Sequence, residues 1–386
     1  MIPGGFPEAE HRARLAACQR AMAEAGLEAL LLTTEPELRY LSGFLTRFWE
    51  SPTRPWFLVV PVSGDPVAVI PSIGVALMAR GWIRDIRSWR SPDYRDDGIG
   101  LLAETLRECT GPRAAIGLPS GPETHLRMPM DSYHRLATSL GARRLTGDGG
   151  LLRRLRMVKS GAEIERIATA CAIAGRAFAE VPALVRPGLS LAEVFRRFQI
   201  EGLRQGADWV PYLAGAAAPG GYADVISPAT EAPLRAGDVL MLDTGLVHAG
   251  YFCDFDRNFS LGSPAPEVAR AHARLVEATR AGAEAARPGA TVADLFHAMD
   301  RIVTGGAGGS DAGRLGHGLG MQLTEAPSLI PEDHTVLEPG MVLTLEPGIA
   351  LPGGKLMVHE EDIVITETGM CWLTSPAAPE IVQIPA

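Results

Sequence analysis

The sequence predicts two domains in series, an α/β domain over residues 1–155 and an α+β domain over residues 156–386 that carries an internal duplication. Three observations predict this. Strand-like apolar runs follow a helix-like segment in the first part, long helical periodicity takes over near residue 155, and two stretches of the second part recur at nearly one spacing.

The first domain opens with HRARLAACQRAMAEAG, whose apolar spacing predicts a helix that Gly26 ends. ALLLT, WFLVVP and PVAVIP then read as strands bounded by turn residues. Between the first two, YLSGFLTRFWESPTRPW is aromatic and basic without a period, which predicts a structured loop. RRLRMVKSGAEIERIATACAIAGRAF restores helical spacing after a Lys-Ser-Gly entry, and the domain boundary falls there.

The duplication organises the second domain. RPGLSLAEVF from Arg186 matches RPGATVADLF from Arg287, and GDVLMLD from Gly237 matches GMVLTLE from Gly340, at spacings of 101 and 103 residues. In the first pair, Ser190 and Thr291 each have an acid three residues on, Glu193 and Asp294, the pattern that starts a helix. In the second, a Gly turn leads a period-two strand that ends in a carboxylate. Two such halves related by a pseudo-twofold bring Asp243 and Glu346 to a shared centre.

Composition narrows the partners. The 386 residues are 46% hydrophobic and 21% charged, a balance that supports two packed domains. A net charge of −9 argues against nucleic acid and anionic membrane, which require clustered Lys and Arg. No run reaches the roughly 18 apolar residues of a membrane span, and the polar start lacks a signal pattern, so a cytoplasmic protein is expected. Cys18, Cys109, Cys171, Cys253 and Cys371 are scattered and odd in number, and are expected to be buried thiols.

The acidic strand ends carry the chemistry. LMLDTG, a turn from Val247 to Gly250 and YFCDFDRNF predict a hairpin in which Asp243 and Asp254 face each other. LTLEPGI, LPGGKLM and VHEEDIVIT predict a second of the same kind, with Glu346 and Glu360. His317 comes from LGHGLGMQ, between Gly316 and Gly318. Carboxylates so gathered repel unless a cation lies between them. One imidazole and four carboxylates suit Mn²⁺ first and Zn²⁺, Co²⁺ or Fe²⁺ after it, and exceed what one ion needs. A pair of divalent ions about 3.5–4 Å apart would activate water at neutral pH.

The order DTG, GYFCDFDR, GHGLG, LEPGI and EEDIVIT, with YLSGF in the first domain and LRMVKS at the junction, resembles the prolidase, Xaa-Pro aminopeptidase and creatinase superfamily along essentially the whole chain. The resemblance implies a pita-bread fold for the second domain, usually a homodimer, and five metal ligands at Asp243, Asp254, His317, Glu346 and Glu360, with Glu361 the neighbouring alternative to the last. It also implies a metallohydrolase acting on a small peptide or small-molecule amide, with Glu346 as general base.

Several positions depart from the family pattern. Its auxiliary histidines correspond to Thr324, to Gly313 and to the neighbourhood of Ile226 and Ser227. Such donors are worth about 10²–10³ in rate each, so a small-molecule C–N hydrolase in the manner of creatinase or ectoine hydrolase, or a lyase of the same superfamily, stands as the alternative. Asp256 stands where the family generally has Thr; it either joins the metal site or pairs with Arg257. His359 alternates away from Glu360 and is expected to be structural. Arg47, Phe48, Trp49, Arg54 and Trp56 are candidates for covering a partner's active site or for packing, and Trp209, Tyr212 and Tyr222 for pocket walls.

Overall fold

The continuous apolar runs near the N-terminus form the middle of a mixed sheet in the computed structural model, which describes residues 5–51, 54–309 and 313–385. The chain divides into two units, Met1–Arg156 and Met157–Ala386.

In the first unit, β1 (Ala29–Leu32), β2 (Phe57–Pro61), β3 (Val67–Pro71), β4 (Asp85–Trp89), β5 (Ala115–Leu118) and β6 (Arg144–Gly147) take the order β4-β3-β2-β1-β5-β6. Every residue of the first three strands is buried, which explains runs that are apolar throughout. The helices are α1 (Glu8–Glu24), α2 (Glu35–Ser42), α3 (Val75–Met78), α4 (Ile99–Cys109), α5 (Met130–Ser139) and α6 (Leu151–Met157). Leu102 and Leu106 of α4 and Leu136 of α5 close one core over Leu31, Val59 and Val69.

The stretch expected to be a loop begins as helix. Pro36 preorganises the first turn of α2, and Gly43 at φ 72° stops it. A 3-10 turn, Arg47–Glu50, follows, and Arg47 pairs with Glu50. Trp49 is buried beside Trp56, at 5.7 Å between ring centroids, with the Arg127 guanidinium 5.0 Å above it. Arg127 also donates to the carbonyls of Trp49, Ser51 and Arg54. Trp49 is therefore an anchor of this unit's own packing.

The second unit begins with α7 (Gly161–Leu184). The Ser160 hydroxyl accepts the Glu163 N–H while the Glu163 carboxylate accepts the Ser160 N–H, a complete capping box. By length and composition α7 is apolar enough to cross a bilayer, although Glu163, Glu165, Arg166, Arg176 and Glu180 interrupt its apolar residues. Its Ile167, Cys171, Ala174, Phe178 and Val181 are buried, the stripe of a helix packed on protein.

There follow α8 (Leu191–Arg204), β7 (Trp209–Pro219), β8 (Asp238–His248), β9 (Tyr251–Phe252), β10 (Phe255–Leu261), α9 (Pro266–Ala285), α10 (Val292–Val303), β11 (His317–Gly318), β12 (Glu325–Ser328), β13 (Val342–Leu345), β14 (Gly348–Leu351), β15 (Lys355–Val358), β16 (Glu361–Ile365), β17 (Met370–Trp372) and β18 (Val382–Ile384). One sheet has the order β18-β10-β8-β7 with β9 beside β8; the other is β12-β11-β13-β16-β17; β14 and β15 form a separate hairpin.

The duplication recurs bond for bond. Gly188 N–H donates to Leu234 O as Gly289 N–H donates to Leu337 O, Leu234 N–H to Leu189 O as Leu337 N–H to Ala290 O, and Gly237 N–H to Leu261 O as Gly340 N–H to Ile365 O. Ser190 and Thr291 each cap the following helix through their hydroxyls. Leu275 of α9, Met299 of α10, Met241 of β8, Leu343 and Leu345 of β13 and Ile363 of β16 share one buried cluster. The mixed α/β architecture is that of the pita-bread fold. Not all thiols are buried as expected: Cys371 is exposed and Cys109 partly so, and all five are free.

Candidate metal centre

Apolar residues bury β8 through Leu242, and Asp243 is the first side chain of the strand that is both acidic and partly open. Ala249 at φ 49° and Gly250 at φ 80° turn the chain back, the backbone that a two-residue hairpin loop requires. The register corrects the expected pairing: Asp243 lies opposite Asp256, and Asp254 stands just ahead of β10, diagonal to Asp243. The second half is also not one simple hairpin. β13 pairs directly with β16, Leu345 opposite Glu361, so Glu346 and Glu360 leave the ladder at one end, and β14–β15 is inserted between them.

His317 is carried in on a backbone that approaches its neighbours too closely for side chains on either flank. A Cβ on Gly316 would fall 2.3 Å from Thr344 O, and one on Gly318 2.2 Å from Ala326 O. The His317 N–H donates to Thr344 Oγ1. Its ring Nδ1 lies 2.9 Å from Gly318 O, which fixes the proton there and leaves the Nε2 lone pair facing the acids. Nε2 is 3.5 Å from Asp254 Oδ2 and 3.8 Å from Glu346 Oε1.

Candidate donor atoms of Asp254, His317 and Glu360 lie within 4.8 Å of one another, and all three residues are buried. Asp243 Oδ1 and Glu360 Oε1 are buried without a hydrogen-bond partner, while Asp243 Oδ2 accepts the Tyr212 hydroxyl at 2.9 Å. As protein groups alone these acids resist ionising. Desolvation, then the charge of Asp256, raises Asp243 to about 7. Desolvation raises Glu346 to about 8, with Asp243, Asp256 and Asp362 adding and Arg314 opposing. Asp254 and Glu360 lie well above the carboxylate range through burial and each other's neighbours. Burial also pulls His317 down to about 4, so its ring is neutral at pH 7. Orphaned buried oxygens, mutually repelling carboxylates and a neutral imidazole form a donor set that fits hard divalent cations.

The structure brings Glu360, and not Glu361, into this cluster. Glu361 accepts from Arg257, Thr374 and the Ala377 N–H. Burial works against its charge, but His359, Arg257 and Thr374 outweigh it and hold the carboxyl down at about 2. Asp256 does not pair with the Arg257 side chain through its own carboxylate; Arg257 touches the Asp256 carbonyl, and the carboxylate turns to His359 and Glu360.

Tyr222 is not a pocket wall. It is 1% exposed, with its hydroxyl donating to Asn258 Oδ1 and accepting the Val358 N–H. Thr324 is half-buried just ahead of β12, Gly313 is exposed at φ 73°, and Ile226 and Ser227 sit on an exposed loop. Asp362 escaped sequence reasoning: its Oδ2 accepts the Asp254 N–H at 3.0 Å and the Cys171 thiol at 3.2 Å. The run Glu360-Glu361-Asp362 hinted at it, but strand alternation alone could not say which acid faces which way.

Residues 165–367 match the model of metallopeptidase family M24, and residues 14–158 the creatinase/prolidase N-terminal domain. The chain belongs to the M24 metallopeptidase family. A probable dipeptidase PepE of Mycobacterium tuberculosis is 33% identical over 361 residues, 92% of each chain. An Xaa-Pro dipeptidase of Pyrococcus furiosus is 31% identical over 225 residues, 58% of this chain and 65% of its own. The crystal structure of dipeptidase PepE from Mycobacterium ulcerans superposes with a TM-score of 0.85 at 31% identity, over 99% of this chain and all of that one. Membership makes this M24 protein a metal-dependent hydrolase of the Xaa-Pro-peptidase-like type, with divalent ions as its cofactor.

Proposed function

We propose that this M24 protein is a Mn²⁺-dependent dipeptidase that hydrolyses Xaa-Pro or a related small peptide. The convergence of Asp254, His317 and Glu360, with Asp243 and Glu346 on the open side, is the observation that carries the reading. Asp243, Asp254, His317, Glu346 and Glu360 would hold the ions. When bound, a divalent pair supplies Lewis acidity toward the peptide carbonyl and lowers the pKa of water.

The protein's own part is positioning and proton transfer. Glu346 keeps 27% of its side chain exposed, against 5% for Asp254, so water and substrate can reach it. Its carboxylate takes a proton from the attacking water at Oε and returns it to the leaving nitrogen. Tyr212 holds Asp243 through its hydroxyl, and Gly318 O holds the His317 tautomer. A homodimer working among reduced cytoplasmic thiols completes the reading; five unpaired cysteines support the compartment.

A second reading has its own support. Thr324, Gly313 and the exposed Ile226 put no imidazole at the family's auxiliary positions, which favours a small-molecule amide over a peptide. A screen of Xaa-Pro dipeptides and tripeptides with Mn²⁺, run beside creatine, ectoine and related solutes, decides between them. Turnover of an Xaa-Pro dipeptide is the expected result; inactivity on every peptide with turnover of a solute overturns it.

A further inference from the structure

Asp256 is 1% exposed and has both carboxylate oxygens engaged. Oδ1 accepts the Glu360 N–H at 2.7 Å and faces His359 Nδ1 at 3.2 Å; Oδ2 accepts from Asn258 Nδ2 at 3.2 Å. Neither of its oxygens is orphaned, unlike Asp243 Oδ1 and Glu360 Oε1. His359 is wholly buried and lies between two acids, its Nδ1 on Asp256 and its Nε2 3.2 Å from Glu361 Oε1. Arg257 closes the row with its guanidinium 3.0 Å from Glu361. Acid, base, acid, base therefore alternate through the protein immediately behind Glu360.

We propose that Asp256 and His359 form a hydrogen-bonded clamp that positions Glu360 in the metal centre, touching neither metal nor substrate. The clamp rests on the metal-centre reading above. Its logic is geometric. The Glu360 N–H is fixed by Asp256 Oδ1, Asp256 is held from the other side by His359 Nδ1, and His359 Nε2 lies 3.2 Å from Glu361, whose oxygens are bound by Arg257, Thr374 and Ala377. The carboxylate of Glu360 thus projects from a backbone that cannot swing. Asp256 also lies opposite Asp243 in the β8–β10 register. A hydroxyl at 256, as the family generally has, could not supply an oxygen to His359 and to Glu360 while a second oxygen holds Asn258.

Two residues that act through one hydrogen-bonded row do not lose affinity additively when both are replaced. The test is a double-mutant cycle in the full-length protein, with D256N, H359Q and D256N/H359Q, reading Mn²⁺ affinity by titration calorimetry. Each single variant should weaken Mn²⁺ binding by about tenfold or more, and the double variant should be no weaker than D256N alone. Where a peptide or solute is turned over, kcat should fall in the single variants with KM little changed. D256T with H359L gives the same cycle if an amide variant does not fold. Losses that multiply in the double variant overturn the clamp, as does a lower melting temperature with unchanged Mn²⁺ affinity, which marks a merely structural role. A wild-type protein that binds no Mn²⁺ overturns the metal-centre reading and the clamp with it.

Discussion

Glu346 and Tyr212 are the side chains whose roles are most sharply separable. Replacing Glu346 by Gln removes the reachable base and should lower kcat by about 10²–10⁴ while the protein stays folded, checked by steady-state kinetics beside circular dichroism. Replacing Tyr212 by Phe deletes only the hydroxyl on Asp243 and should weaken Mn²⁺ binding by about tenfold. Calorimetric titration of the variant reads this directly. His272 tests the pH behaviour of a residue outside the ligand set. It is 3% exposed, and burial, with His359 adding, pulls it from 6.5 down to about 4. The unfolded ring takes a proton below about 6.5 that the folded ring refuses until about 4, so stability falls as pH drops through that window. Urea melts should show His272→Asn losing less stability than wild type between pH 6.5 and 4.

At the scale of elements, the close backbone around His317 is the most exacting feature. Gly318→Ala would drive a Cβ to 2.2 Å from the Ala326 carbonyl, a backbone atom that cannot yield cheaply. The β11–β12 pairing should loosen, with melting temperature and Mn²⁺ affinity both falling; an unchanged affinity would show that the strand is not what aims the imidazole. Sequence reasoning found the flanking glycines and gave them this role, because a small residue on each side of a His already implies a crowded backbone. It also found α7, β1 to β3 and the two capped helices, whose periods are long or whose caps are specific. It lost α2, which is eight residues long and ends inside an aromatic stretch. The pairing of Asp243 with Asp254 was misplaced by two residues, since a period-two pattern tells which face a residue takes but not its opposite number.

For the whole molecule, folding and metal binding should be linked. Buried carboxylates that repel one another weaken the fold until a cation neutralises them, so Mn²⁺ at about 100 times its Kd should add about 2.7 kcal/mol. Differential scanning calorimetry with EDTA and with Mn²⁺ measures it; identical melting temperatures would contradict a centre formed by these residues. The proposed centre rests on the pseudo-twofold: equivalent hydrogen bonds in the two halves place Asp243 on β8 and Glu346 at the end of β13. The sequence by itself determined the duplication and the two-unit order and pointed to the four acids and one imidazole proposed as ligands, because repeats, caps and strand-end carboxylates are local patterns. Only the tertiary structure decided which of Glu360 and Glu361 faces the cluster, that Tyr222 belongs to the core, and that Asp256 and His359 meet across 103 residues. Those outcomes depend on register and on which buried charge finds a partner, and both are properties of strands brought together from distant parts of the chain.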